Sequence, residues 1–449
     1  MKRNINWRKF SRSLPFLLAS VLARHAFTAA KALRGLAEPR TAKSEAFDWF
    51  RHWYPVTIPD TLDPEKPHET QILGIDVVIW TDGAWRVSES GRGQGPGRQL
   101  PSKIVDEILW VFPYRGLDAF EEAEKVALPL CKELHDPALK DDWSYILPGG
   151  IRDFPCGWDA LAENCLDPAH FCAAHHGIIG NRYKDPAPYE YKMTEPLDLE
   201  DGFALNGDLG KLEFRPPCLV KYHPNSQSMP FRGNIILATY CVPMSPGNFR
   251  VVAVVLQNKA GISGGTIAER LLSLFNMVPK WVGHMLTPVV VHQDSGLLYG
   301  TYRNLREKGY RPGLEGSAKY GSLVYCPTAV DAGPMAFRRW MQLAGGDVPW
   351  ACEDVLPARG SEDLFDVWEA HTKQCRYCMD AYNNLELLKY VSAAVFCVTL
   401  LLMTGSERAT LASLSAALAA ALHLVTGPNG PFRRWDFAHH ENNWSAPWQ

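Results

Sequence analysis

Short apolar runs punctuated by turn formers fill the middle of the chain. Gly202–Phe214, Cys218–Tyr222, Asn234–Val242 and Phe249–Leu256 are rich in Val, Leu, Ile and Phe, and Pro, Gly and Asn separate them. That pattern predicts strands of an antiparallel sheet. Upstream, Val77–Trp80 and Trp85–Val87 flank Asp82–Gly83, which predicts a small hairpin. Ile104–Phe112 reads as one further buried strand. Between them, Gly91–Lys103 ("GRGQGPGRQLPSK") is Gly-, Pro- and Arg-rich and is expected to form no core element. Helical patterning lies over Leu117–Leu134, which is acidic, and over Thr266–Met285 and Ala336–Leu343. No internal repeat is visible. The span from about 117 to 380 is therefore expected to be α+β, a twisted antiparallel sheet with helices on it.

The two ends differ from the middle. Tyr390–Thr404 is a run of fifteen residues without a charge, and Ala409–Thr426 is a run of eighteen whose one ionisable group is His423. "GSER" breaks them. A spanning helix needs about 20 apolar residues, so these runs predict a membrane hairpin. The alternative is a buried helical hairpin, since "LASLSAALAAALHLV" is Ala-rich. At the other end, residues 1–43 hold ten Lys or Arg and one acid, Glu38. That basic, acid-poor stretch predicts an organelle transit peptide. "LPFLLASVLA" is its rival reading as a secretory signal, and the basic residues continuing through Arg24, Lys31 and Arg34 favour transit.

Composition narrows the class. The chain has 449 residues and a net charge of −3 with mixed signs, so nothing in it asks for nucleic acid. Eleven Cys at scattered spacings argue against a secreted disulfide framework and for a reducing compartment. Cys375 and Cys378 are the one short-spaced pair.

"ENCLDPAHFCAAHHG" (Glu163–Gly177) carries the candidate chemistry. On a helix, Asp167 and His170 are i and i+3 and share a face, so the carboxylate can accept one ring N–H and leave the other nitrogen for a metal. His170 and His175 are i and i+5, about 140° apart on an ideal helix. They converge on one ion only if the segment bends; His176 is a substitute. The bland alternative is a helix start with Asp167 as cap and Pro168 in the first turn. Two histidines and one carboxylate make the facial triad of non-haem Fe(II) sites. A third ligand is available at Asp294, in "TPVVVHQDSGLLY", where an acid between apolar residues needs a partner if buried. A plain turn Asp before Ser295–Gly296 remains open.

This segment resembles the mononuclear-iron motif of Rieske non-haem iron oxygenases, E-N-x-x-D-P-x-H-x4-H-H-G, in the plant and algal branch that includes pheophorbide a oxygenase and chlorophyllide a oxygenase relatives. "FDWFRHWYPV" resembles the start of that family's Rieske domain. "AFRRWMQLAGG" and "LFDVWEAHTKQCRYC" resemble its C-terminal part. The resemblance implies that His170, His175 and Asp294 ligate mononuclear Fe(II). It implies that Asp167 touches the first ligand histidine and relays electrons across a subunit boundary, with Asn164 beside it. It implies a thioredoxin-responsive Cys375/Cys378 pair; two plain thiols are the alternative, and a structural zinc site would want two more ligands.

The chain departs from the family where a [2Fe–2S] centre should be. That centre takes two Cys and two His, which the family supplies as C-x-H and C-x-x-H in the N-terminal β domain. Here no Cys precedes Cys131. "CAAH" at Cys172–His175 fits C-x-x-H but overlaps the iron motif. A mis-spliced or mis-predicted transcript, a degenerate paralogue and a cluster lent by a partner subunit each explain this, and the intact flanks favour the first.

The expected organisation is α+β: transit peptide 1–46, truncated Rieske-like antiparallel β domain 47–116, helix-grip catalytic domain 117–384, transmembrane hairpin 385–428 and polar tail 429–449. The expected function is a plastid envelope or thylakoid oxygenase of the chlorophyll-catabolic type, acting on a tetrapyrrole-like ring with electrons from a ferredoxin-type reductant. Thioredoxin and assembly into a homotrimer are further expected partnerships. The alternative is a non-catalytic, membrane-tethered pigment-binding or thiol redox-sensing protein.

Overall fold

The computed structural model describes residues 47–91, 96–177, 180–225, 234–259, 278–311, 318–344 and 359–434. The expected transit peptide and most of the polar tail lie outside them.

The N-terminal β region makes two small sheets. β1 (Tyr54–Thr57) pairs with β7 (Ile108–Val111), which pairs with β6 (Ser102–Val105). β2 (His68–Ile72), β3 (Ile75–Thr81), β4 (Trp85–Ser90) and β5 (Pro96–Leu100) form the second sheet in chain order. The hairpin expected around Asp82–Gly83 is present, and Gly83 takes the positive φ of +109° that the turn requires.

Two expectations fail here. Gly91–Lys103 contributes strand β5 and the start of β6, with Leu100 fully buried. Pro96 is tolerated because it opens an edge strand, where its missing N–H breaks no interior ladder. Ile104–Phe112 is not one strand. It folds back at Asp106–Glu107, whose φ values of +52° and +62° make a tight two-residue reversal.

The second body is a seven-stranded antiparallel sheet in the order β8-β14-β13-β12-β11-β10-β9. Its strands are β8 (Trp143–Phe154), β9 (Tyr191–Asp198), β10 (Gly202–Gly207), β11 (Gly210–Arg215), β12 (Leu219–Pro224), β13 (Ile235–Ser245) and β14 (Asn248–Asn258). The four predicted apolar runs became β10 to β14. β8 and β9 escaped the pattern; β8 contains Pro148–Gly149–Gly150, which reads as a loop, and in β9 Lys192, Glu195, Pro196 and Asp198 dilute the strand formers Tyr191 and Thr194.

The helices are α1 (Ala119–Lys125), α2 (Lys132–His135), α3 (Trp158–Cys165), α4 (His170–Ala174), α5 (Lys280–Glu307), α6 (Tyr320–Leu323), α7 (Ala332–Ala344), α8 (Ser361–Leu364), α9 (Arg376–Leu402) and α10 (Ser406–Thr426). The predicted helix over Thr266–Met285 is described only from residue 278; the helix there starts at Lys280 and runs on to Glu307, through "TPVVVHQDSGLLY". Phe337, Trp340 and Met341 of α7 and Trp158 and Leu161 of α3 are buried in one core with Phe203, Leu205, Phe214 and Val252 of the sheet and Trp49, Trp110 and Phe112 of the N-terminal region. Arg250 of β14 stitches the two bodies together: it pairs with Asp153 of β8 at 2.6 Å and donates to the Val56 carbonyl at 2.8 Å.

α9 and α10 are the predicted apolar hairpin. Gly405, at φ +92°, makes the reversal. Each is long and apolar enough to cross a membrane, and their outer faces expose Leu387, Leu401, Leu402, Leu414 and Leu424.

One buried charge cluster stiffens the sheet. Lys221 of β12 donates to both oxygens of Glu133 on α2, at 2.7 and 2.9 Å. Glu213 of β11 takes Lys211 at 2.9 Å and Arg215 at 2.8 Å. Burial works against the Glu213 carboxylate, but Lys221, Lys211 and Arg215 outweigh it and hold its pKa at about 2. A carboxyl depressed in the folded state stabilises above its unfolded pKa and loses that stabilisation as pH falls through the folded one. Chemical-denaturation curves of the full chain are therefore expected to lose about 3 kcal/mol between pH 4.5 and 2 from this group; Glu213→Gln should flatten that fall and lower stability at neutral pH.

Candidate metal centre

α3 leads into the candidate site, and it is bolted in place by charge. Arg338 of α7, fully buried, donates to Asp159 at 2.5 Å and to Glu163 at 2.5 Å. Arg306 of α5 approaches Asp159 at 3.7 Å, and the Tyr320 hydroxyl donates to Glu163 at 2.5 Å. Burial opposes the Asp159 charge, but Arg338 and Arg306 hold its carboxyl below the ordinary range. A planar guanidinium suits this task because it offers separate N–H edges to two carboxylates. Glu163 thus earns its place in the motif as an anchor for α3.

Beyond α3 the chain turns through Asp167–Ala169 into the five-residue α4. The helix stops at Ala174, and His175 sits at its C-terminal cap with φ −102° and ψ 31°. Gly177, at φ +84°, carries the chain away. This is the bend that the i, i+5 spacing demands: the His170 and His175 rings lie 5.3 Å apart, centroid to centroid. His176 faces elsewhere. It accepts the Arg182 N–H at 3.2 Å and meets the Tyr183 ring edge-on.

Asp294 comes from the interior of α5 rather than from a turn. Its Oδ2 lies 3.3 Å from His175 Nε2 and its Oδ1 4.0 Å from His170 Nε2. One donor atom from each residue falls within 4.8 Å of the others. Both imidazoles have their far nitrogen occupied: His170 Nδ1–H donates to the Asp167 carbonyl, and His175 Nδ1–H donates to Gln293 Oε1 at 3.0 Å. Their Nε2 lone pairs therefore face the carboxylate, the tautomer a metal needs. Adjacent residues of α5, Gln293 and Asp294, grip one ring at its two nitrogens.

Burial alone would favour neutral His175, but the Asp294 charge reverses this and raises its pKa. Asp294 Oδ1 is buried with no hydrogen-bond partner. An orphaned carboxylate oxygen beside two imidazole nitrogens fits a divalent cation well.

Asp167 acts differently from the expectation. Its main-chain carbonyl, not its carboxylate, accepts the histidine N–H, because the turn before α4 removes the i, i+3 helical face. The carboxylate instead accepts the Ala169 N–H at 3.0 Å, a local turn contact; the cap of α4 is Ala169, with no side-chain bond, so Asp167 is not the helix cap either. Asn164 Nδ2 lies 3.3 Å from His170 Nε2. Gln293 and Arg338 were not singled out by sequence reasoning; Gln293 was visible as the residue beside Asp294, while nothing local marks Arg338.

A cavity of about 120 Å³ adjoins the three ligands, walled by Leu161, Phe171, Val220, Leu237, Val251 and Val291. Cys375 and Cys378 are not part of this site; they lie in a separate buried cluster with His284 and His371.

Residues 214–311 match the family model for pheophorbide a oxygenase. A flavonoid 8-hydroxylase from Ocimum basilicum, described as chloroplastic, is 25% identical over 77% of this chain and 76% of its own. The chloroplastic pheophorbide a oxygenase of Arabidopsis thaliana is 27% identical over 88% and 84%. The chain is thus similar, at low identity, to pheophorbide a oxygenases and their chloroplastic relatives. Among solved structures, the oxygenase–ferredoxin complex of carbazole 1,9a-dioxygenase aligns at 12% identity over 68% of this chain and 90% of its own, with a TM-score of 0.43.

Removing the guanidinium that neutralises the buried Asp159 and the half-buried Glu163 should cost about 3–5 kcal/mol. Arg338→Met is expected to shift the urea midpoint accordingly, and Arg338→Lys to recover only part, since an ammonium cannot span both carboxylates.

Proposed function

We propose that His170, His175 and Asp294 hold one ferrous ion and that the chain is a non-haem oxygenase acting on a large, flat, apolar ring of the tetrapyrrole type. The supporting observation is the buried Asp294 oxygen without a partner, facing two imidazoles whose far nitrogens are already engaged. Ferrous iron on two imidazoles and one carboxylate keeps open positions for O₂ and substrate.

The residues around it have distinct tasks. Gln293 and the Asp167 carbonyl orient the ligand rings. Leu161, Phe171, Val220 and Val251 exclude water from the ion's open side. Asn164 lies beside His170 Nε2, at the edge of the proposed ion site. A cavity of about 120 Å³ is well below the few hundred Å³ that enclose a whole ligand, so it would admit only the reacting edge of such a ring. Incorporating one oxygen atom and reducing the other to water takes two electrons and two protons from outside the substrate.

The [2Fe–2S] group that the family implies does not fit. No Cys precedes Cys131, and β4 connects to β5 through residues 91–95 alone. The electrons would therefore come from a ferredoxin-type protein, or from a subunit that carries the cluster. The chloroplastic relatives support a plastid location, and α9 and α10 support a membrane anchor.

Anaerobic reconstitution with ferrous iron tests the reading against a non-catalytic pigment-binding or redox-sensing role. About one iron per chain is expected in the wild type, almost none in His170→Ala, and no acid-labile sulfide in either. Equal iron in both would overturn it.

A further inference from the structure

We infer that His284, His371, Cys375 and Cys378 form a second metal centre, mononuclear and tetrahedral, built for zinc. The sequence offered a lone C-x-x-C that lacked two ligands; the fold brings in both. His284 comes from the first turns of α5, His371 from the loop before α9, and the cysteines from the N-cap and first turn of α9. All four side chains are buried.

The distances define one centre. His284 Nδ1 lies 3.3 Å from His371 Nε2, 3.4 Å from Cys375 Sγ and 3.5 Å from Cys378 Sγ. Cys378 Sγ lies 3.4 Å from His371 Nε2. Zinc bonds of about 2.3 Å to sulfur and 2.0–2.1 Å to nitrogen place tetrahedral donors about 3.3–3.8 Å apart. These edges match. A Rieske cluster uses the same donor set but puts its histidines on one iron and its cysteines on the other. Sulfur–nitrogen edges of 3.4 and 3.5 Å mean shared donors on one ion, so this cluster is no substitute for the missing [2Fe–2S] site.

The surroundings are those of a structural site. His371 Nδ1–H donates to the Ile151 carbonyl at 2.8 Å, which leaves Nε2 as the lone-pair donor. Met285 and Phe432 pack beside the cysteines. Binding releases a proton from each thiol and leaves a Zn²⁺ with two thiolates, a neutral unit that suits burial. Four protein donors leave no open position, the mark of a structural rather than catalytic zinc. A cavity of about 560 Å³ bordered by His371 and Cys375 gives the ion a way in. The centre would fasten the start of the apolar hairpin to β8 and to α5, ten residues, or about 15 Å, ahead of Asp294 on the same helix.

The test is metal analysis of the full chain purified in detergent under anaerobic conditions. The wild type should carry about one zinc, His170→Ala should keep it, and Cys375→Ser/Cys378→Ser should lose it. Should the double variant fail to fold, cobalt exchanged into the wild type provides the readout: a thiolate-to-cobalt charge-transfer band with the intense visible bands of tetrahedral cobalt. Zinc-free wild type with a Cys375–Cys378 disulfide, zinc that survives loss of both cysteines, or cobalt without thiolate bands would each overturn the inference. None of these outcomes depends on iron at His170.

Discussion

A carboxylate withdrawn from water without a permanent cation beside it is costly. Asp294 is in that position, with two imidazoles as its ionic neighbours among the described residues. Much of the architecture near it acts to keep that arrangement in register. α5 carries the carboxylate and, one residue earlier, the amide that orients His175. α3, clamped by Arg338 and Arg306, sets the start of the turn into α4. The sheet supplies the apolar wall opposite. A cation at the meeting point of the three donors would satisfy the acid and both lone pairs at once.

Local chemistry made part of this legible. The alternation and punctuation of β10 to β14 are properties of the residues themselves, so the sheet could be read directly. The histidine motif also marked its segment, yet spacing alone left its geometry open. His170 and His175 meet because α4 stops at Ala174, and that stop is enforced by the Gly177 turn and by packing, not by the periodicity of five residues. Asp294 read as a candidate ligand, with a turn acid left open because Ser and Gly follow it; the long α5 overrides that weak turn preference. Gly91–Lys103 failed for the opposite reason: edge pairing against β4 makes strands from residues that do not favour them.

The second cluster shows what sequence distance conceals. Cys375 and Cys378 announce themselves as a pair, while His284 lies 91 residues before Cys375. Only tertiary packing of α5 against the start of α9 unites them. The same helix thus serves both clusters, and the catalytic proposal and the attachment of the apolar hairpin share one rigid element. Truncation at a point before Cys375 would accordingly remove two of that cluster's four donors along with the apolar hairpin.

The N-terminal region sets the chemical limit. Its two small sheets are well packed, with Trp49, Trp53 and Trp110 buried, and Trp49 and Trp110 share one core with the seven-stranded sheet. It offers no cysteine for electron storage. The most direct measurement of the central claim is electron paramagnetic resonance of the ferrous chain exposed to nitric oxide without oxygen. A high-spin iron–nitrosyl signal is predicted, because an ion on two imidazoles and one carboxylate keeps a vacant side. Tightly bound iron that gives no such signal would contradict it.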